Sequence, residues 1–405
     1  MKTTYLLLCL LGIGSVSGAG QTKQPQKIGD FIESTSYNEH RRNATRSLQY
    51  TPDGDDFVCI NGKNRFTRAL YGSHTAFRLE TSDRPVFAAY TKENPKHICF
   101  KLQTSGGTVA LDSTEHCESR YTAGRRSYSL SDPAFGGGSL SITTWALPDK
   151  EGAIWQFNAR NFKEFHPVLL ASISEIRNSK LNRNGDMGAD PADSFEAPLQ
   201  PQQLQSFPVQ IDGTLYMLLE NQELRTLTTA EGENLFKKAE AARSETASRI
   251  RIETPDPYFN TLGGTLAMAA DGIWDGEVWL HGAIGWRMPL SGWRAAYTGD
   301  VLGWHDRART HFNAYAASQV TEVPNTLPHP AQDSALHLAR SVKKWGTPQY
   351  SNGYICRNPH RNNQMHHYDM NLCYIDELLW HFKWTGDLDY VRQMWPVMTR
   401  HLAWE

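Results

Sequence analysis

Indole, carboxylate, imidazole and guanidinium groups are concentrated in one part of this sequence. Ten of the twelve tryptophans lie between Trp274 and Trp404, and five of these lie within residues 273–312, among Asp, Glu, His and Arg. Flat indole faces stack on the apolar C–H faces of sugar rings, while carboxylate, guanidinium and imidazole groups bind hydroxyls and move protons. The pattern predicts a sugar site, with a tryptophan-rich helical core as the alternative.

Two carboxylates in this region are candidates for catalysis. Glu277 lies beside Trp279, and apolar neighbours raise the pKa of a carboxyl group toward the value that a general acid needs. We therefore expect Glu277 to be the proton donor among these residues. Asp300 follows a glycine in a predicted loop and could bind sugar hydroxyls, but it could equally cap a helix that starts near Val301. Asp275 would face the same cleft as Glu277 only on an extended segment, because residues two apart diverge on a helix.

The remaining candidates would bind the substrate. Trp293 and Arg294 could clamp hydroxyl or carboxylate groups of a sugar, or form a cation–π stack that holds a loop. His366, His367 and Asp369 could bind sugar hydroxyls from a loop, whereas metal binding is disfavoured because adjacent histidines diverge on a helix. No metal site is predicted. The predicted substrate-binding residues are Trp274, Trp286, Trp293, Arg294, Tyr297, Asp300, His366, His367 and Asp369.

Other charged groups have a simpler explanation. His305 and Arg309 are four residues apart, which is typical of a solvated or ion-paired helix face. Glu377 lies opposite a predicted apolar stripe and is expected on the surface. The sequence lacks the G-x-S-x-G, Walker and Rossmann glycine motifs, which argues against serine hydrolases and nucleotide enzymes. No cofactor is predicted.

Composition and the first residues limit the class of protein. With 405 residues, 21% of them charged, and a formal net charge of -2, the chain is expected to have two or three domains and not to bind nucleic acid. Residues 1–19 contain an apolar run too short for a membrane span, followed by small residues up to Ala19, which predicts a signal peptide cleaved there and a secreted or periplasmic protein. A disulfide among Cys59, Cys99 and Cys117 and three free thiols remain alternatives.

Hydrophobic periodicity divides the chain into a β part followed by an α part. Residues 20–50 are polar and predict a flexible lead-in. Short apolar runs between turn clusters predict an antiparallel β-sandwich over residues 51–225. The period then changes from two to about 3.6 residues, which predicts a linker helix over residues 226–253 and helices in residues 254–405.

Apolar spacing places individual helices in this last part. Residues 258–270 are predicted to form one helix. A later helix would be kinked or interrupted by Pro396. Because the sequence stops in helical register at Glu405 without a C-cap, a truncated piece of a longer protein is expected. Three further helices are predicted from the apolar sets Ala335, Leu338, Ala339 and Val342; Leu372, Ile375, Leu379 and Phe382; and Val391, Met394, Met398 and Leu402.

Several segments together resemble the six-hairpin, (α/α)6-barrel glycosidases. They are TPDPYFNTLGGTLAMAADGIWDGEVWLHG, WRAAYTGDVLGWHDRARTHF and DELLWHFKWTGDLDYVRQMWPVMTRHLAWE. The chain looks closest to an uncharacterised secreted branch of that superfamily, with α-L-rhamnosidases and glucoamylase-like enzymes as better-known relatives. The resemblance implies an N-terminal β-sandwich, a helical toroid and inverting hydrolysis by two carboxyl groups. It also implies that Asp387, Leu388 and Tyr390 form a structural turn between helices.

Two features limit what the resemblance carries over. A complete toroid has six hairpins, whereas the roughly 150 residues after Thr254 can hold two to three. Further catalytic carboxylates, the base above all, are therefore expected beyond Glu405. Rhamnosidase-like enzymes place an acidic Glu shortly before a G-W-T-G-D segment. Here residues 297–300 match the end of that segment, but Trp293 stands where the acid would fall.

The sequence thus predicts a secreted glycoside hydrolase that cleaves a poly- or oligosaccharide without a cofactor. The first alternative is a polysaccharide lyase on a similar toroid, in which Tyr297 and His366 would abstract a proton α to a uronic carboxylate that Arg294 neutralises. The second alternative is a carbohydrate-binding protein that uses the indoles for affinity alone.

Overall fold

Antiparallel sheets form the first part of the structure, a computed structural model. It describes residues 50–63, 68–72, 77–90, 96–148, 150–162, 166–176, 205–282, 288–292, 294–321, 332–333, 338–339, 352–361 and 369–405. The predicted signal peptide and most of the predicted lead-in lie outside these residues. The strands are β1 (Thr51–Asp53), β2 (Asp56–Ile60), β3 (Arg68–Tyr71), β4 (Arg78–Thr81), β5 (Val86–Tyr90), β6 (Lys96–Thr104), β7 (Gly107–Ala110), β8 (His116–Thr122), β9 (Arg125–Ser131), β10 (Ser139–Ala146), β11 (Gly152–Arg160), β12 (Val168–Glu175), β13 (Gln205–Gln210), β14 (Thr214–Glu220) and β15 (Glu223–Leu227).

Two sheets built from these strands pack face to face. The first has the spatial order β1-β2-β8-β9-β10-β11-β14-β15, and the second has the order β13-β12-β6-β5-β4-β3, with β7 paired to β6. Their inner faces share an aromatic core, in which the rings of Phe87 and Trp155 lie 5.6 Å apart and those of Phe100 and Phe157 lie 5.0 Å apart. Strands such as β8 alternate buried and less buried residues, which suits a two-layer arrangement. The prediction of antiparallel β structure followed by helices is confirmed.

A charged network is buried between the sheets. Arg126 Nη2 on β9 lies 3.8 Å from Asp83 Oδ1, and both side chains are fully buried. The same nitrogen donates hydrogen bonds of 2.9 Å to the Tyr50 hydroxyl and to the Ser82 carbonyl. Tyr50 in turn donates to Asp83. Because Asp83 lies between β4 and β5, the network ties the first sheet to the second.

The described cysteines are free thiols, including Cys59, Cys99 and Cys117. Burial raises the pKa of the Cys117 thiol to about 12 and also raises that of Cys59. Of the two alternatives, a disulfide or three free thiols, the structure shows the free thiols. They act as small apolar side chains.

Helix α1 (Thr229–Ala247) follows the last strand and covers the outer face of the first sheet. Thr228 and Glu231 begin it with a reciprocal capping box. The Phe236 ring lies 3.9 Å from that of Trp145 on β10, and Trp145 Nε1 donates a 2.8 Å hydrogen bond to Glu240. The helix is thus anchored on the sheet.

The described remainder of the chain is mainly helical. Residues 258–270 do not form one helix, because the chain turns between Asn260 and Gly263. Pro396 lies inside a helix that continues through it. None of the described helices is long and apolar enough to cross a membrane. The helices are α2 (Pro257–Asn260), α3 (Gly263–Gly272), α4 (Tyr297–Val301), α5 (His305–Ala316), α6 (Asp369–Thr385) and α7 (Leu388–Trp404).

The prediction of a helix from Ala335, Leu338, Ala339 and Val342 is wrong for its two central residues. Strand β17 (Leu338–Ala339) pairs with β16 (Gln332–Asp333). Ala335 and Val342 lie outside the described residues. Four apolar residues with helical spacing are too short a pattern to exclude a strand, because a strand can bury the same side chains.

The second core lies between α5, α6 and α7, and it changes the predicted orientation of α6. Leu372 and Leu379 are 46% and 39% exposed, so half of the predicted apolar stripe faces away from the core. The buried face instead carries Tyr374, Leu378 and His381. Helix α6 is apolar on more than one side, and periodicity alone therefore selected the wrong face.

Candidate functional site

A tight turn after α3 holds the first predicted site residues. Asp275 accepts hydrogen bonds from the backbone N–H groups of Glu277 (3.0 Å) and Val278 (2.7 Å). The flanking Trp274 and Trp279 pair as an isolated bridge, and their ring centroids lie 4.6 Å apart. Both indoles are buried, at 3% and 1% exposed. In this structure they belong to the core, so neither offers a face to a sugar ring.

Trp279 also fixes the tautomer of a buried histidine. Its backbone N–H donates to His311 Nδ1 at 3.2 Å. Burial lowers the pKa of His311 to about 3, against a smaller raising effect of the Ser291 backbone. His311 is therefore neutral at pH 7, and because Nδ1 accepts a hydrogen bond, its proton lies on Nε2.

Gly299 in α4 is the residue on which the Trp279 ring rests. A Cβ atom at this position would overlap the six-membered part of the indole. Alanine normally stabilises a helix by about 1 kcal/mol relative to glycine. We nevertheless expect Gly299→Ala to lower the free energy of unfolding by about 1–3 kcal/mol, because the overlap must push apart α4 and the turn.

Urea unfolding of the variant measures this cost. In a Trp279→Phe background, where the overlapping ring atoms are removed, the cost of Gly299→Ala should shrink or change sign. An equal cost in both backgrounds would show that Trp279 is not the obstacle.

Glu377 on α6 is the most unusual titratable group of the site. It is 2% exposed, and burial raises the pKa of its carboxyl group well above the ordinary value, with a further contribution from the charge of Asp376. The backbone N–H and the guanidinium of Arg294 oppose the shift. Among the described residues, no group makes a hydrogen bond of good geometry to either carboxyl oxygen. The surroundings thus favour the neutral carboxylic acid, which has a proton to donate.

The backbone of Arg294, which interacts with Glu377, has a rarely adopted conformation. Its φ is 67°, in the left-handed region that non-glycine residues seldom occupy. The neighbouring Gly292 packs so closely against Met370 and Tyr374 of α6 that a Cβ atom would overlap their backbone. Close packing of this segment on α6 therefore brings the Arg294 N–H toward the carboxyl group.

The pKa of the Tyr315 hydroxyl responds to the charge of Glu377 and of other nearby charged groups. It is buried and has no hydrogen-bond partner among the described residues. Burial raises its pKa well above the ordinary value; the charges of Asp275, Glu377 and Glu277 raise it further, while Arg357 lowers it. The charges of these four side chains therefore all act on one buried hydroxyl near the end of α5.

Glu277 has surroundings opposite to those of Glu377. Its side chain is 47% exposed, and its Oε1 lies 2.6 Å from His360 Nε2. Burial, which keeps a carboxyl group protonated, is therefore found at Glu377, whereas the Glu277 side chain is nearly half exposed. Nearby, Arg357 donates a 2.9 Å hydrogen bond to the Met288 sulfur.

Tyr297 lies at the start of α4 and donates its hydroxyl proton to Asp376 on α6. Burial raises the pKa of Tyr297 above its ordinary value, and the hydrogen bond to Asp376 and its charge act in the same direction. A phenol held in its protonated form is poorly suited to abstract a proton, as the lyase alternative requires.

Asp300 does not cap a helix. It lies inside α4, whereas α5 starts at His305 after Trp304. Its Oδ1 lies 2.8 Å from Nδ1 of both His305 and His381. Among the described residues, these three side chains form a group whose possible ligand atoms all lie within 4.8 Å of one another.

The remaining predicted residues are placed as follows. Trp286, Trp293, His366 and His367 lie outside the described residues. Asp369 begins α6. Arg309 pairs with Asp387, which also caps α7 by accepting from the Tyr390 N–H at 3.0 Å.

Sequence reasoning missed Glu377, Tyr315 and His381. The prediction that Glu377 lies on the surface is wrong, because α6 presents Tyr374, Leu378 and His381 to the core, and Glu377 shares that face. The spacing of Tyr374, Leu378 and His381 is itself helical, so choosing these residues as the buried face would have placed Glu377 inside.

Comparison with known proteins reaches only part of the chain. Residues 95–250 match the family model described as "Domain of unknown function (DUF4450)", a segment that runs from β6 through α1. No curated protein matches the chain.

Proposed function

We propose that this protein is a glycoside hydrolase in which Glu377 donates a proton to the glycosidic oxygen. The observation that carries the proposal is the contrast between two carboxyl groups whose charges both act on Tyr315. Glu377 is buried with a raised pKa, whereas Glu277 is nearly half exposed and paired with His360. Pairs of carboxyl groups with divergent environments are typical of acid–base chemistry on glycosides.

In the proposed reaction, the Glu377 proton moves to the leaving oxygen as the bond from the anomeric carbon to that oxygen breaks. A carboxylate takes a proton from water, which adds its oxygen to the anomeric carbon from the opposite face. Glu277 and Asp275, whose charges act on Tyr315 together with that of Glu377, are two candidates for this base. An additional carboxylate from further hairpins is the other candidate for the base. Inversion is the expected stereochemical outcome.

The fold proposed for the helical part is an (α/α)6 toroid of which α6 and α7 form one hairpin. Exposed apolar side chains support it, because contiguous apolar surface usually marks an interface. We propose that further hairpins cover this surface. The exposed apolar residues of the hairpin are Leu372, Leu379, Trp380, Trp384, Leu388, Trp395 and Leu402.

Secretion is a separate part of the proposal and depends on residues 1–19. Expression of the natural gene in its own host should yield a mature chain that starts near Gly20 in the periplasm or the medium. N-terminal sequencing of the recovered protein measures this. An intact Met1 in the cytoplasm would contradict it.

The enzymatic proposal is tested by incubating the complete natural protein that contains these residues with a panel of neutral and acidic glycans. New reducing ends without ultraviolet absorbance from an unsaturated uronate are the expected products. Unsaturated products would favour a lyase. Binding without any product would favour the carbohydrate-binding alternative.

A further inference from the structure

The carboxylate of Asp300 is buried against two imidazoles. Its Oδ1 lies 2.8 Å from His305 Nδ1 and 2.8 Å from His381 Nδ1, and its Oδ2 lies 3.1 Å from the latter atom. The Asp300 side chain is 3% exposed, that of His381 is fully buried, and that of His305 is 45% exposed. The three residues come from α4, α5 and α6, so the cluster joins three helices.

The charge of Asp300 has no permanent cationic partner in this cluster. Within the described part of the chain, no lysine or arginine pairs with it: Arg307 pairs with Asp271 and Arg309 with Asp387. A buried carboxylate is costly without a counter-charge. A cation bound beside the two imidazoles would supply that counter-charge.

The donor set favours a cation of a particular kind. Two imidazole nitrogens and one carboxylate oxygen, all within 4.8 Å of one another, are ligands that divalent transition metals accept. Cis ligands at about 2.1 Å from an octahedral ion lie about 3 Å apart, close to the 2.8 Å that separates Asp300 Oδ1 from the Nδ1 atom of each histidine. Alkaline-earth ions prefer an all-oxygen set and fit less well.

Solvent reaches the cluster from one side. His305 is partly exposed, so an ion can enter beside it, and water can complete its coordination. The other side is closed by the rings of Phe312 and Tyr390, whose centroids lie 5.4 Å from that of His381. An ion held there would bind α4, α5 and α6 together.

We propose that Asp300, His305 and His381 form a binding site for one divalent transition-metal ion, such as Zn²⁺ or Ni²⁺. Its role is to stabilise the helical core. The proposal is independent of glycoside hydrolysis, because no step of that reaction passes through the ion.

The test uses protein freed of metal by chelation and then dialysed against Zn²⁺, Ni²⁺ or Mg²⁺ in separate experiments. Elemental analysis and calorimetric melting are the readouts. Zn²⁺ or Ni²⁺ should add one ion per chain relative to the variants His305→Ala and Asp300→Asn, and should raise the melting temperature of the wild type but not of these two variants. Mg²⁺ should do neither.

The matched control is His116→Ala, which removes an exposed histidine of β8. This variant should keep both the ion and the rise in melting temperature. Co²⁺ gives an independent readout, because nitrogen ligands change its visible spectrum, and His305→Ala should lose that change. Uptake that is equal in wild type and His305→Ala, or no rise in melting temperature, would overturn the proposal in favour of a purely hydrogen-bonded cluster.

Discussion

Replacing Glu377 by glutamine is expected to lower the rate of glycoside hydrolysis by about 10²- to 10⁴-fold in the complete natural protein. Glutamine keeps the shape of the side chain but has no proton of suitable acidity to give to the leaving oxygen. The initial rate on the best glycan of the panel measures the effect. Substrates with an activated leaving group, which need little protonation, should lose much less activity.

The same variant should remain folded, and the sign of the pKa shift explains why. Burial raises the pKa of Glu377 in the folded state, so the folded protein binds more protons than the unfolded chain. Proton binding by Glu377 contributes fully to the free energy of unfolding below its unfolded pKa of about 4.3. This contribution declines as the pH rises toward the pKa of Glu377 in the folded protein. Glu377→Gln should therefore lose that part of the pH dependence and be at least as stable as wild type at pH 8.

Asp389→Asn is the matched control for activity. Asp389 lies on α7, is 93% exposed and pairs only with Arg392 among the described residues. It should retain the wild-type rate. An active, folded Glu377→Gln protein would contradict the proposed role of Glu377, and an equal loss in both variants would indicate a general effect of removing a carboxylate.

Replacing Arg126 by methionine is expected to lower the free energy of unfolding of the sandwich by about 3–5 kcal/mol. Methionine fills much of the space of the arginine stem but leaves Asp83 buried without its guanidinium partner. The hydrogen bonds to Tyr50 and Ser82 are lost as well. Urea unfolding followed by far-ultraviolet circular dichroism measures the change.

The control for this prediction lies on the next strand. Arg120 on β8 pairs with Asp53, Asp56 and Glu118, but its side chain is 34% exposed. Arg120→Met should cost about 1 kcal/mol or less, since solvent screens exposed pairs. Adding Asp83→Asn to Arg126→Met should recover part of the stability, because it removes the buried negative charge that the guanidinium had balanced. Equal costs for Arg126→Met and Arg120→Met would mean that the buried network contributes little.

The β part of the chain could be predicted from sequence because its signals are local. Alternating side chains and turn residues mark each strand within a few positions, and Thr228 with Glu231 marks the start of α1 as a capping box. The order of strands in the two sheets has no such local mark. It brings β2 beside β8 and β11 beside β14, and it depends on which apolar faces meet in the core.

The candidate site was less predictable because its key contacts join residues far apart in sequence. Asp300 and His381 are 81 residues apart, and Glu277 and His360 are 83 apart. Glu277 and Glu377 are chemically identical and differ in burial. The apolar pattern of α6 predicted an exposed Glu377, and the structure buries it. Similarly, Trp274 and Trp279 have the composition of a sugar site but fill the core.

The measurement that tests the central claim most directly is the protonation state of Glu377 at neutral pH. Infrared difference spectra between wild type and Glu377→Gln isolate the carbonyl stretch of this single group over a pH titration. We predict a carboxylic acid band at pH 7 that gives way to carboxylate bands only at higher pH. A Glu377 that is already ionised at pH 5 would contradict its role as the proton donor.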